Sequence, residues 1–406
     1  MKTLTAQANV LKKYLDLYAE VEVGELDSFP PNNYQNLLFI PVYRESTNFL
    51  QYLRCKGPEI ELGKYLLILV SNHPTDLTKD EQENAMAKHQ KIYQWLDKPV
   101  WRSEHLSLHE GTKFDTILVN RTDTNSIPTA QGVGLARKIG ADIAAALYFK
   151  GAVVTPWAMS TDADAYPPPN YFDIDPDNKC SALTYKYQHK ITDNPIGRAT
   201  ELYEASLHHY VNGLKHAGSP YAFETIGSAQ AINLFSYAAV RGYPKRSGGE
   251  DFYLLNKFAK VGTIAEHKSA VIEIDSRLSN RAPFGTGPAV KRLVDTVDIY
   301  AEPIFYNPEI FEHLKLVLGC FNSTDLISLQ KEMQQLPAES QLSLSSLGIA
   351  SALEHAKRQC LDTKRLGKHM HDWFDGFKTL KFVHFMRDLA FPNLSQNELL
   401  VFNNER

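Results

Sequence analysis

The sequence predicts an α/β protein with a helical C-terminal region. Two short apolar runs, 37–40 and 65–70, have the length and composition of strands buried in a parallel sheet. The segment between them has helical apolar spacing around Phe49, which completes a β-α-β unit. From Pro308 onward, Glu, Gln, Lys and Leu recur at helical spacing, so we expect helices in that part of the chain.

Further segments continue the alternation of helices and strands. The pattern predicts, in chain order, a helix over 79–96, a strand over 116–119, a helix over 132–147, a strand over 151–160 and a helix over 196–214. We interpret the polar segment 170–195 as turns, and 338–348 as an exposed connection between C-terminal helices.

The length of the chain predicts more than one domain. Its 406 residues exceed the roughly 250–300 residues over which a single hydrophobic core usually grows. We expect a helical N-terminal extension over 1–34, an α/β domain over 35–305 and a helical C-terminal region over 306–406.

Composition and charge narrow the classes of partner. Apolar residues make up 43% and charged residues 22%, and the net charge of -4 gives no electrostatic reason to expect nucleic acid or an anionic membrane. The four cysteines are far apart and lack the spacing of a zinc site, which suits a reducing compartment. The N-terminus lacks the apolar core of a signal peptide, and no long apolar stretch follows. We expect a cytoplasmic protein without a membrane span, for which peripheral membrane contact stays open.

An acidic pair follows the strand predicted over 151–160. Asp162 and Asp164 stand at the end of this strand, and prolines at 167–169 then force the chain to leave it. Open α/β folds bind ligands at the carboxyl edge of the sheet. Mg²⁺ commonly takes one or two carboxylates and completes its shell with phosphate oxygens of the substrate. The pair therefore indicates a metal site, although a solvated loop that caps the next turn carries the same pattern.

A second acidic pair opens a helix. The glycine-rich loop 241–249 leads to Glu250 and Asp251 at the start of an amphipathic segment. Acidic side chains in a first helical turn are stabilised by the helix dipole, which would explain them without any catalytic role. Alternatively, one of them serves as a general base within hydrogen-bond reach of an attacking hydroxyl.

Two further segments carry cations. The segment 132–140 fails the dinucleotide-binding pattern, because Arg137 stands where the last glycine is required. A helix N-terminus that bears Arg137 and Lys138 would nevertheless suit a phosphate, and it is equally typical of an ordinary basic helix. The loop 276–287 contains Arg277 and Arg281, which could contact a diphosphate or simply lie on the surface.

The order of these features resembles the family 2 glycosyltransferases, whose nucleotide-binding domain has the GT-A fold. The resemblance covers residues 35–290. The segment 39–45 resembles the opening strand and loop of that family, which implies that Pro41, Tyr43 and Glu45 approach the nucleotide base.

The resemblance also implies a metal, a donor and further site residues. Its remaining nucleotide-binding positions fall on Asn72, Arg137, Lys138, Asp162, Arg277 and Arg281. Asp162 and Asp164 would hold Mn²⁺ or Mg²⁺, and the donor would be a UDP- or GDP-sugar. The acceptor would be a hydroxyl compound of unknown identity.

The chemistry implied by the resemblance is an inverting displacement. Asp251, next to Glu250, would remove the proton of the attacking hydroxyl. The metal and a basic side chain would stabilise the leaving nucleoside diphosphate. Soluble retaining enzymes that put a sugar on glycerate or phosphoglycerate share much of this fold, so the stereochemical outcome stays open.

Departures from the family and competing classes limit the prediction. The chain lacks the Q-x-x-R-W segment of processive polysaccharide synthases, which disfavours long-chain polymer synthesis. It also has a longer region over 165–220 than a minimal member of the family. A sugar nucleotidyltransferase would need a glycine- and arginine-rich loop after the first strand, and 41–45 is not one. A non-catalytic nucleotide-binding homologue is the other alternative, which the two intact acidic motifs disfavour.

Overall fold

The computed structural model describes residues 2–123, 125–279, 285–359 and 362–404. These residues form two compact units. The first unit takes the chain up to 190 and the segment 225–275, and the second takes 191–224, 276–279 and the chain from 286 onward. The division expected at residue 305 differs from this arrangement. The helix predicted over 196–214 belongs to the helical unit, and the N-terminal extension 1–34 is part of the first unit.

The first unit is built on a ten-stranded mixed sheet in the described residues. Its strands are β1 Leu37–Val42, β2 Tyr65–Asn72, β3 Pro99–Arg102, β4 Leu106–His109, β5 Phe114–Arg121, β6 Trp157–Ser160, β7 Ala165–Tyr166, β8 Cys180–Lys190, β9 Gln230–Asn233 and β10 Thr263–Asp275. Their order across the sheet is β3-β4-β5-β2-β1-β6-β9-β8-β10-β7.

The helices, numbered along the whole chain, are α1 Lys2–Leu17, α2 Asn48–Cys55, α3 Lys79–Trp95, α4 Gly132–Phe149, α5 Pro195–His216, α6 Leu234–Ala239, α7 Glu250–Phe258, α8 Thr286–Val294, α9 Glu309–Cys320, α10 Leu326–Gln334, α11 Ala338–Ser346, α12 Ile349–Arg358, α13 Thr363–Trp373, α14 Gly376–Leu389 and α15 Gln396–Asn404. Short 3₁₀ helices form at Val21–Ser28 and Pro169–Phe172.

The central strands are parallel and place their carboxyl ends at one edge. β1 pairs with β2 and with β6, and β2 pairs with β5, all in parallel register. Both faces of such strands are covered, which explains why β1 and β2 are apolar almost throughout. The segments that follow β1, β2 and β6 therefore meet at the edge where open α/β sheets bind ligands.

Helix α4 is buried on nearly all sides, from Gly134 to Leu147. It packs against β1 on one side and against α1 and the 3₁₀ helix Val21–Ser28 on the other. Gly140 lies so close to the sheet that an added Cβ would be 3.0 Å from atoms of Phe39. Small residues in α4 thus allow a helix to lie between two layers, and they explain the alanine- and glycine-rich sequence.

Two predictions about the sheet are wrong. The segment 170–195 contains β8 and is not merely turns. In the second half of this strand, exposed Lys186 and Gln188 alternate with buried aromatic side chains, the pattern of a strand with one covered face. The strand expected over 151–160 begins only at Trp157. Its predicted first residue, Gly151, instead lies in a turn with a φ of 78°.

The second unit is helical, as predicted for the C-terminal region. Its main core contains the fully buried side chains of Leu314, Phe321, Phe374 and Phe382. The exposed connection expected over 338–348 is wrong, because α11 occupies most of it. Ser340 and Ser343 are fully buried in this helix, where the sequence alone suggests a polar surface.

None of the described helices is both long enough and apolar enough to cross a bilayer.

Candidate functional site

The first part of the site is the carboxyl end of β6. This strand lies between β1 and β9, and Ser160 at its end pairs with Phe39 on one side and Gln230 on the other. The amide of Thr161 still donates to the carbonyl of Phe39 at 3.3 Å. Asp162 follows directly, so the sheet itself fixes the position of this carboxylate at the ligand-binding edge.

Arg137 on α4 joins the two acidic motifs. Its guanidinium is 3% exposed and donates to both carboxylate oxygens of Asp162, at 2.7 and 3.0 Å. The Nε donates to Oε1 of Glu250 at 2.8 Å, and Nη1 donates to the hydroxyl of Ser160 at 2.8 Å. Planar guanidinium groups bind carboxylates with defined geometry, so Arg137 fixes Asp162 relative to Glu250.

The glycine-rich loop reaches Glu250 by packing on the start of α4. The amide of Gly134 donates to the carbonyl of Arg246 at 2.9 Å, and an added Cβ on Gly134 would lie 2.5 Å from the carbonyl oxygen of Pro244. Gly249 then takes a φ of 70°, a left-handed conformation that glycine adopts without strain, directly before α7. Gly134 thus allows the backbone of this loop to contact the start of α4.

Four carboxylates of the two motifs influence one another. We call Asp162, Asp164, Glu250 and Asp251 the carboxylate cluster. Burial, together with the charges of Asp164 and Glu250, raises the pKa of Asp162 to about 6. Burial and the adjacent Glu250 raise the pKa of Asp251 to about 7. Arg137 supplies one compensating charge, so the cluster carries an excess of negative charge.

The composition of this cluster fits a hard divalent cation. Oxygen ligands and excess negative charge are what Mn²⁺ and Mg²⁺ require, and two protein carboxylates suffice when phosphates of a substrate complete the shell. Asp162 retains a 32% exposed side chain. Asp164 is held by its backbone, because its carbonyl accepts from the amide of Asp275 at 2.9 Å. The pair is therefore positioned by β6 on one side and by the end of β10 on the other.

A different group of potential metal ligands has a structural role. Within the described residues, Glu25, Glu104 and His105 bring three ligand atoms within 4.8 Å of one another. The carboxylate of Glu25 already accepts from the hydroxyl of Ser103 at 2.6 Å, and from the amide and Nδ1 of His105 at 2.7 and 2.6 Å. These bonds tie the N-terminal 3₁₀ helix to the turn between β3 and β4.

The residues predicted at the nucleotide base lie at the same edge of the sheet. Pro41 belongs to β1, and half-buried Tyr43 and Glu45 follow this strand. Asn72 ends β2, but its side-chain amide donates to the carbonyls of Val42 and Val70 at 3.2 and 2.9 Å. Asn72 thus holds two strand ends together.

Sequence reasoning did not single out Arg44 in this loop. Arg44 has a φ of 56°, which is uncommon for a residue other than glycine. Its guanidinium lies 5.1 Å from the centre of the Tyr43 ring and pairs with Glu81 of α3 at 3.1 Å. These two contacts hold the loop that follows β1. The sequence pattern carries no signal of this conformation.

Lys138, predicted to bind the nucleotide, lies in another cluster. Its ammonium donates to the hydroxyl of Tyr14 at 2.9 Å, to the carbonyl of Tyr18 at 2.8 Å and to Asp142 at 2.6 Å. With 4% of its surface exposed, Lys138 is committed to the N-terminal helix. We therefore remove it from the nucleotide-binding set.

The loop 276–287 contains the two remaining predicted cations, Arg277 and Arg281. Arg277 follows β10 by two residues, is half-buried and belongs to the second unit. Arg281 lies outside the described residues. Both stay predictions.

Ser160 and Gly227 support the site, and no motif revealed them. Ser160 accepts from Arg137 and donates to the carbonyl of Gly227 at 3.2 Å. A Cβ on Gly227 would lie 2.5 Å from Nη2 of Arg137, so only glycine leaves room for the guanidinium. Such roles depend on chain segments about seventy to ninety residues apart, which a local pattern does not report.

No protein-family model matches the chain, and no curated protein matches it either. Among solved structures, it is similar to S. aureus TarS in complex with UDP-GlcNAc, with 11% identity, 84% of this chain and 89% of that chain covered, and a TM-score of 0.37. It is also similar to glucosyl-3-phosphoglycerate synthase from Mycobacterium tuberculosis with Mn²⁺, UDP and glucosyl-3-phosphoglycerate, with 16% identity, coverage of 67% and 81%, and a TM-score of 0.32.

A third similar structure is the mannosyltransferase PcManGT from Pyrobaculum calidifontis with GDP-Man and Mn²⁺, with 13% identity, coverage of 93% and 96%, and a TM-score of 0.33. These neighbours are GT-A glycosyltransferases. Identities and TM-scores this low carry no argument about the activity of this chain, so we argue the function from its own site.

Proposed function

We propose that the chain is a metal-dependent glycosyltransferase that moves a sugar from a nucleoside diphosphate to an acceptor hydroxyl. The observation that carries this proposal is the bridge formed by Arg137 between Asp162 and Glu250. The bridge unites an acidic pair after a central strand and an acidic pair at a helix start, at the edge where α/β sheets bind ligands.

On the donor side, Asp162 and Asp164 would hold Mn²⁺ or Mg²⁺. When bound, such a cation neutralises charge on a departing diphosphate as a Lewis acid. Arg137 keeps Asp162 in place through its two hydrogen bonds and does not need to contact the nucleotide itself. The loop with Pro41, Tyr43 and Glu45 would receive the base of a UDP- or GDP-sugar.

On the acceptor side, Asp251 is the proposed general base. Glu250 is 3% exposed and bonded to Arg137, whereas Asp251 is half-buried and one of its oxygens accepts from the amide of Phe252 at 2.7 Å. Burial and Glu250 raise the pKa of Asp251 to about 7, which is close to the value at which a carboxylate accepts a proton effectively in neutral solution.

The proposed step is an inverting displacement. The acceptor oxygen attacks the anomeric carbon and forms the new C–O bond, while the bond from that carbon to the diphosphate oxygen breaks. The diphosphate leaves with the electron pair, and the proton of the acceptor hydroxyl passes to Asp251. Analysis of the anomeric configuration of the product by NMR tests this outcome against the retaining alternative.

The proposed function is tested by calorimetric titration of UDP and GDP, with Mn²⁺ and with EDTA. We expect binding of one nucleotide that depends on Mn²⁺ and is lost in Asp164→Asn. Asp16→Asn is the matched control, because Asp16 is a 55% exposed aspartate on α1 whose recorded partner is Lys12. If neither nucleotide binds in the presence of Mn²⁺, the proposal is wrong.

A further inference from the structure

The segment 2–28, which we call the N-terminal segment, is anchored to α4 by a buried carboxylate. Asp142 accepts hydrogen bonds from the hydroxyls of Tyr14 and Tyr237 at 2.6 and 2.7 Å, and from Lys138 at 2.6 Å. A fourth bond comes from the backbone amide of Glu20 at 2.8 Å. A buried carboxylate with this many donors fixes the groups around it, so the backbone at Glu20 has a defined position.

The side chain of Glu20 points from this anchor to the glycine-rich loop 241–249, which we call the delivery loop. Its Oε1 lies 2.9 Å from the ammonium of Lys245 and 3.5 Å from that of Lys138. Two residues earlier in the N-terminal segment, the ring of Tyr18 lies 5.0 Å from the guanidinium carbon of Arg241. The N-terminal segment therefore contacts the delivery loop through two cations.

The backbone of the delivery loop also lies directly on the anchor. Gly242 has a φ of 70°, and a Cβ added there would lie 2.4 Å from the hydroxyl oxygen of Tyr14 and 2.9 Å from that of Tyr237. Only a residue without a side chain allows this approach at a positive φ.

The delivery loop leads directly into the acidic pair of the site. After Lys245, the carbonyl of Arg246 is held by α4, Gly249 turns the chain, and Glu250 and Asp251 open α7. A shift of the loop at Lys245 would thus be transmitted over six residues to Asp251. Displacements of about 1 Å at a catalytic group can reduce a rate by about 100-fold.

We propose that Glu20 is a positioning residue that holds the delivery loop through Lys245 and thereby sets the position of Asp251. This inference rests on the proposed function for the role of Asp251. It assigns to the N-terminal segment a part in the acceptor side of the site, and none in the binding of metal or nucleotide.

The test compares Glu20→Gln with Asp16→Asn in the full chain. Glutamine keeps the amide bond to Asp142 and removes the charge that faces Lys245 and, at 3.5 Å, Lys138, which retains Asp142 as its ion-pair partner. Hydrogen–deuterium exchange of peptides that cover 241–251 should become about threefold to fivefold faster in Glu20→Gln, the effect expected for a partly exposed ion pair. Asp16→Asn should leave that exchange unchanged, since Asp16 pairs with Lys12 on the surface of α1.

The second readout is hydrolysis of UDP-glucose or GDP-mannose, in which water replaces the acceptor and release of UDP or GDP is followed. The kcat should fall in Glu20→Gln by a similar factor, while the Mn²⁺-dependent affinity for the nucleotide stays at the wild-type value. Adding Lys245→Met to Glu20→Gln should cause no further decrease, and Lys245→Arg should preserve the rate.

Three results would overturn the inference. The first is exchange in 241–251 that is equal in Glu20→Gln and Asp16→Asn, and the second is a changed exchange with an unchanged kcat. Effects of Glu20→Gln and Lys245→Met that simply add would also contradict it. If the wild-type chain releases no UDP or GDP from these two donors, the nucleotide titration decides the proposed function, and the exchange comparison alone decides whether Glu20 holds the loop.

Discussion

Arg137 and Lys138 are neighbours on α4, both are almost fully buried, and they organise two different clusters. Arg137 bonds Asp162 and Glu250 in a cluster with more carboxylates than cations. Lys138 bonds Asp142 and two tyrosine groups, and it joins the N-terminal helix to the sheet domain. The excess charge of the first cluster suits an incoming cation, whereas the second cluster is complete without a ligand. We therefore propose the first cluster as the site and interpret the second as scaffold.

The largest expected effect separates chemistry from binding within the first cluster. Asp251→Asn should lower the rate of sugar transfer or donor hydrolysis by about 100- to 10,000-fold, the range that general bases contribute. Its Mn²⁺-dependent nucleotide affinity, measured by calorimetry, should stay close to that of the wild type. Loss of nucleotide binding in this variant would show that Asp251 acts on the donor side.

The next effect concerns the scaffold cluster. Lys138→Met leaves Asp142 buried without its cation, and removal of one partner of a buried ion pair typically costs about 3–5 kcal/mol. We expect the free energy of unfolding in urea to fall by about that amount, with Lys12→Met as the control because the side chain of Lys12 is 59% exposed. The folded fraction should keep its nucleotide affinity; a selective loss of that affinity would return Lys138 to the site.

Arg137→Lys tests the bridge at constant charge. The guanidinium directs three different nitrogens at Asp162, Glu250 and Ser160, which the single nitrogen of an ammonium cannot do, so both carboxylates should shift. We expect the rate of donor hydrolysis to fall by about 100-fold, as small misplacements of catalytic groups do, and Mn²⁺-dependent nucleotide affinity to weaken. Wild-type values for both quantities would mean that the bridge is not required.

The last prediction concerns the pH dependence of stability. The pKa of Asp251 rises from 3.8 to about 7 on folding, so between these values the folded chain binds more protons than the unfolded chain. Stability therefore falls as pH rises through this window. In EDTA, Tm should decrease more steeply from about pH 4 to about pH 7 for the wild type than for Asp251→Asn. Burial also raises the pKa of Asp142, and its contribution to the slope cancels in this difference. Equal slopes would contradict the raised pKa of Asp251.

Much of the sheet domain could be predicted because its signals are local. The strands β1 and β2 are largely apolar runs and β5 contains the apolar run 117–119. Helices α3 and α4 begin and end near the predicted residues, and α7 begins where predicted. By contrast, β8 and β10 were not predicted, since their outward-facing charged residues dilute the apolar pattern over long strands. The prediction for α11 failed for a different reason, because its buried serines have the polarity of surface residues.

The sequence by itself determined that Asp162 and Asp164 follow a central strand and that Glu250 and Asp251 open a helix, because such placements depend on neighbours along the chain. Only the tertiary structure decided which cation joins the two acidic motifs. Consecutive helical residues point about 100° apart, so Arg137 and Lys138 face different layers. Their partners lie up to 124 residues away in the chain, and no local pattern specifies contacts over that distance.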